Sequence, residues 1–250
     1  MSSNAAVSES LLTRRPIASA VLLTIAFVLL AAVATLGLGA IAPALEGKDR
    51  DLITEVLLAA FVLAIIALLG WWRDVGLTAP REWRHLGLMI LPGLVVLIPF
   101  LGGFDGSGST AIGILLLGYA LTSIAEDGMF SGILPRILRS RGLVWAVVLS
   151  ALLFGLAHFG NLLSRPDQSF AITAAQALGV FSIGVGFIAI RLVTGSLVLV
   201  MVSHYFEDLF LQLGGMPAIL ANVIQSIIML IFGIWLLRRY RQELADDGWR

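Results

Sequence analysis

The chain has no cysteine. That excludes a disulfide framework, a thiolate metal site and a cysteine nucleophile, and it leaves the redox compartment unread. It is also poor in charge, with 13% Asp, Glu, Lys and Arg against roughly 25% in ordinary globular chains. Lys plus Arg equals Asp plus Glu, so the formal net charge is zero. No basic surface argues for a nucleic-acid partner, and none is expected. What is abundant is apolar: 59% of the residues are hydrophobic and the mean hydropathy is +0.99. This composition predicts an integral membrane protein.

A helix needs about 20 apolar residues to cross a bilayer. Eight such runs are present, at 17–44, 52–72, 84–102, 110–134, 143–163, 170–191, 196–213 and 218–237. The third contains Pro92 and Pro99, and the seventh is short. The first follows Arg14 and Arg15 and is about twice as long as the roughly 7–15 residues of a signal-peptide core, so it reads as a retained span. The expected fold is an all-α bundle of about eight transmembrane helices around an intramembrane polar cavity. It forms one polytopic domain over 1–250, with a motif-bearing core at about 110–213 and cytoplasmic tails at 1–15 and 239–250. The first ten residues, MSSNAAVSES, read as a polar, unstructured segment.

Basic residues set orientation, because cytoplasmic loops are enriched in Lys and Arg. With the N-terminus inside, the inner segments hold Arg14, Arg15, Arg73, Arg81, Arg84, Arg136, Arg139, Arg141, Arg191, Arg238, Arg239, Arg241 and Arg250. The outer segments hold only Lys48, Arg50 and Arg165. The expected topology is therefore multi-pass with both termini in the cytoplasm. Arg191 reads as snorkelling to the interface. The outer loop GGFDGSGS carries no Lys or Arg.

Ionisable side chains within spans are expensive and mark function. Glu126 and Asp127 lie in the fourth run, His158 in the fifth, and His204, Glu207 and Asp208 in the seventh. His85, at the start of the third run beside Arg84, reads as an interfacial residue. At about 1.5 Å per residue, Glu126 lies roughly 15 Å from Arg136, His204 roughly 12 Å from Ser196, and His158 roughly 22 Å from Leu143. Helix tilt can bring these groups to one level, in the middle or cytoplasmic half of the membrane. His204 and Asp208 share a helix face at i and i+4, as do Phe154 and His158. Glu126 and Asp127 point about 100° apart, so one faces the cavity and the other its wall. Gly128 and Gly132 form a small-xxx-small pair that admits a neighbouring helix. Glu207 reads as cavity lining.

A carboxylate in a poorly solvated pocket is a stronger base toward water. Imidazoles can hydrogen-bond a developing oxyanion. Together these suit amide hydrolysis. Glu126, His158, His204 and Asp208 could equally ligate a divalent metal such as zinc, which would activate the water. Carboxylate–histidine chains also relay protons in transporters, but no inverted repeat accompanies them here.

AEDGMFSGIL, FGLAH and HYFED occur in that order on three runs. In this the chain resembles the CPBP family of intramembrane proteases, relatives of the type II CAAX prenyl endopeptidase, over roughly 117–210. The family pattern is Glu-Glu-x-x-x-Arg, then Phe-x-x-x-His, then His-x-x-x-Asn or Asp. The resemblance implies a peptidase in which Glu126 activates water, with Asp127 in place of the second glutamate. His158 assists with water or substrate carbonyl, and His204 and Asp208 stabilise the oxyanion or hold a metal. It implies a peptide or protein substrate reaching the site from the membrane or the cytoplasmic side, in a bacterial or archaeal cell membrane. Two positions depart from the pattern: Asp127 is shorter than Glu, and Ser131 replaces Arg. A relative that binds membrane peptides without cleaving them is the alternative these departures suggest.

Overall fold

The structure is a computed structural model that describes residues 12–105, 112–164 and 168–247. The polar segment 1–10, part of the GGFDGSGS loop, Arg165 and Arg250 lie outside them. Among the described residues, seven helices are long and apolar enough to cross a membrane: α1 Pro16–Ile41, α2 Gly47–Leu69, α3 Trp83–Gly102, α4 Ile112–Arg141, α5 Leu143–Ser164, α6 Phe170–Thr194 and α8 Ala218–Arg239. The short seventh run forms α7, Leu197–Leu213, whose 17 residues carry His204, Glu207 and Asp208. A short α9, Arg241–Asp246, follows. Multi-pass membrane architecture thus stands as expected.

Local chemistry sets the ends. Pro16 opens α1, where its missing N–H costs nothing. The Ser169 hydroxyl accepts from the Ile172 N–H at 3.2 Å and starts α6. α6 closes on Gly195 at φ +73°, a left-handed position that favours glycine. Pro92 and Pro99 break α3 into 3₁₀ turns at Trp83–Met89 and Ile98–Gly102 around a short α segment.

α6 is the central helix. Of its apolar window 78% is buried, against 28–39% in the other six candidate spans. Glycine permits this: a Cβ on Gly186 would stand 2.8 Å from the Met229 carbonyl of α8, and one on Gly155 2.5 Å from the Ala177 carbonyl of α6. The large exposed side chains are apolar, among them Leu22, Leu29 and Val33 on α1 and Ile227 and Ile231 on α8. Such a surface suits lipid rather than water.

The two ends of the bundle differ. At one, Arg81 pairs with Asp247, Arg139 donates to the Asp247 carbonyl at 2.6 Å, and Arg136 Nε lies 3.2 Å from Asp74 with its guanidinium over Trp71. Arg191 does not snorkel. It is 5% exposed and donates to the carbonyls of Val75 and Asp74, so it ties α6 to the turn after α2. His85, expected at the interface, lies at this same charged end but is buried. Its ring stands edge-on to Tyr240 at 5.4 Å, and both ring nitrogens are buried without a hydrogen bond. At the other end Phe104 bridges Gly214, and Gly215 and Met216 donate to the carbonyls of Gly103 and Pro99 at 2.8 and 3.0 Å. There the Lys48 ammonium, 2.8 Å from Glu46, holds that exposed carboxyl below its ordinary range.

The Gly128–Gly132 pair works as its spacing predicts. A Cβ on Gly128 would meet Val62 of α2 at 2.6 Å, and one on Gly132 would meet Leu197 of α7 at 3.1 Å. Gly128→Val should lower the thermal midpoint of the detergent-solubilised protein. Adding Val62→Ala should recover much of the loss, because the clash is with one side chain. No recovery would place the strain elsewhere.

Candidate active site

α4 changes its winding at the carboxylates. It is α-helical to Glu126, π-helical over Asp127–Ile133, then α-helical again. The Leu134 N–H reaches back five residues to Met129. Such wider turns recur at functional sites. Here the turn begins at the second carboxylate.

Both carboxylates reach the same imidazole. Asp127 Oδ2 lies 3.1 Å from His204 Nδ1, and Glu126 Oε2 lies 3.8 Å from Nε2. Asp208 Oδ2, one turn along α7, lies 3.6 Å from Nε2. The expected division into wall and cavity holds: Asp127 is fully buried while Glu126 lines the cavity. Their 100° separation is reconciled by the ring, whose two nitrogens face opposite ways. A carboxylate can only accept from a ring N–H, so Asp127 fixes Nδ1 as donor and turns Nε2 toward the cavity. Ser131, where the family pattern has Arg, is fully buried with its Oγ 3.5 Å from Asp127 Oδ1. Arg136 is engaged with Asp74 at the end of the bundle and does not replace it.

His158 caps the first α-helical stretch of α5, Leu143–Ala157, and opens a 3₁₀ turn. Its Nδ1 lies 3.1 Å from the Phe154 carbonyl. A carbonyl only accepts, so Nδ1 carries the hydrogen and Nε2 of the neutral ring is free to accept. The Phe154 ring packs on His158 at 5.5 Å and meets His204 at 6.3 Å. Ser203 donates to the Leu199 carbonyl, away from this chemistry.

These groups line a cavity of about 380 Å³ that also takes in Glu207, as expected, and Glu55 of α2. The sequence reading passed over Glu55, although it lies inside the 52–72 run. Its Oε2 is buried without a hydrogen bond. Phe130, Phe154 and Phe187 form the floor, with Phe130 and Phe154 stacked at 4.8 Å.

No three His, Asp or Glu side chains are grouped to hold one metal ion among the described residues. His158 holds its Nδ1 on the Phe154 carbonyl and His204 its Nδ1 on Asp127, and each keeps its Nε2 for the cavity.

All three motif-bearing segments fall within one match. Residues 108–210 match the family model described as type II CAAX prenyl endopeptidase Rce1-like. Over this segment the chain is similar to the type II CAAX prenyl endopeptidases. The match spans less than half of the chain and leaves α1 to α3 and α8 outside it. No curated protein matches the chain. The matched segment contains α4, α5, α6 and nearly all of α7. The cavity, by contrast, draws Glu55 and Leu58 from α2, so elements beyond the family segment complete the site.

Proposed function

We propose that the chain is a CAAX-type intramembrane endopeptidase that hydrolyses a peptide bond with a water activated by Glu126. The observation that carries this reading is the convergence of Glu126, Asp127 and Asp208 on His204 at the floor of a cavity. Glu126 takes a proton from water held in the cavity. His158 Nε2 accepts the second hydrogen of that water and aims its lone pair. The oxygen bonds to the scissile carbonyl carbon, and the carbonyl electrons move to its oxygen. A proton on His204 Nε2 lets that nitrogen donate to the oxyanion. Asp127 holds the ring in position, and Asp208 flanks Nε2. Collapse breaks the C–N bond as Glu126 returns its proton to the leaving nitrogen. The partners on this reading are a peptide or protein substrate and the bilayer.

The test is peptidase activity of the detergent-purified protein, with and without chelator, beside His158→Ala. Chelation should leave activity within about twofold. His158→Ala should lower kcat by roughly a hundredfold, the lower end for a positioned proton acceptor. Activity lost on chelation and restored by zinc would overturn the metal-free mechanism and make His158, His204, Glu126 and Asp208 candidate ligands.

A further inference from the structure

Among the described residues, the cavity lining reaches one end of the bundle and not the other. Its outer lining comes from residues next to the loops at that end: Asp51 early in α2, Ser164 at the close of α5, Gln176 early in α6, Leu211 late in α7 and Asn222 early in α8. Toward the other end the path is closed. Below the stacked Phe130 and Phe154 follow Ile133, Leu134, Ile137 and Leu138, each fully buried, before Arg139 and Arg141 are reached.

The charge asymmetry runs along the same axis. Among the described residues every arginine except Arg50 lies at the closed end, and only Lys48 and Arg50 lie at the open end. Cytoplasmic segments carry the excess of Lys and Arg, so the closed end faces the cytoplasm. Resting on the peptidase reading for the word substrate, we infer that substrate enters from the non-cytoplasmic face, and that it is a polypeptide segment displayed at that face rather than a cytoplasmic C-terminal tail.

The lining agrees. Among the described residues it contains no Lys or Arg, while Asp51, Glu55, Glu126, Glu207 and Asp208 contribute to it. A free C-terminal carboxylate would meet five acids there against the single His204 ring, an arrangement that disfavours it. An internal stretch of chain brings no such charge.

The absence of native cysteine makes the test direct. Asp51→Cys at the mouth and Arg241→Cys at the closed end each create the sole thiol of the chain. Intact cells producing either variant are treated with a membrane-impermeant maleimide, then permeabilised and treated again. Asp51→Cys should label before permeabilisation and Arg241→Cys only after it. Protein labelled at residue 51 with a bulky maleimide should then lose at least tenfold in cleavage relative to unlabelled Asp51→Cys. The reverse labelling order would overturn the inference, as would full labelling at residue 51 without loss of cleavage. The labelling readout does not depend on catalysis. Absence of cleavage in all proteins would therefore count against the peptidase reading while leaving the orientation decided.

Discussion

Glu126→Gln should reduce peptide hydrolysis by roughly a hundred- to ten-thousand-fold, the range for removing a positioned general base. The amide keeps the shape of the carboxylate, so the cavity should be preserved. Glu126 makes no hydrogen bond shorter than its 3.8 Å approach to His204, so little of the fold hangs on it. The measurement is kcat of the purified variant beside wild type, with the thermal midpoint of each in the same detergent. A lost kcat with an unshifted midpoint is the expected pair. Equal cleavage by both proteins would remove Glu126 from the chemistry and favour a binding role for the cavity. A shifted midpoint alone would make the residue structural.

His204→Gln should be costly twice over. The ring is the one group that three carboxylates share. Without it the wholly buried Asp127 keeps only the Ser131 hydroxyl at 3.5 Å. Breaking a buried charged pair on one side costs about 3–5 kcal/mol, so the thermal midpoint should fall clearly. Loss of the oxyanion donor should separately lower kcat by roughly a hundred- to a thousandfold. The double variant Asp127→Asn, His204→Gln tells the two apart. Removing the stranded charge should restore most of the midpoint and none of the rate. Recovery of both would mean that the imidazole serves only to neutralise Asp127. Recovery of neither would put the defect in packing against Phe154 and Phe187.

The groups that the sequence exposes best are those that violate its own pattern. Glu126, His158 and His204 stand in apolar runs where ionisable side chains are rare, and the spacing of His204 and Asp208 already places them on one face. Glu55 violates the same pattern. It sits one turn from Asp51 near the start of a run, however, where acids at the membrane surface are common; only the folding of α2 against α4 carries it into the cavity. The burial of Arg191 and His85 is hidden for a related reason. Their partners are the carbonyls of residues 74 and 75 and the ring of Tyr240, distant in sequence and brought close by tertiary packing. Distances counted along the runs allow these groups to meet at one level, yet they do not say which end is sealed. The stacking of Phe130 on Phe154 decides that, and no linear pattern announces it.

The π-wound stretch Asp127–Ile133 has a consequence for how this chain can change over time. Each residue advances an α-helix by about 100° and 1.5 Å, so the wide turn is in effect one residue's worth of slack stored between two fixed docking points. Upstream, Glu126 and Asp127 are docked on His204; downstream, Arg136 is docked on Asp74 and Trp71. Deleting a single residue from the stretch would take up that slack and rewind it as α-helix, with both docking points left on their partners. A second deletion would rotate one of them away by about 100°. A lineage descending from this chain could shorten the spacing from Glu126 to Arg136 by one residue and no further.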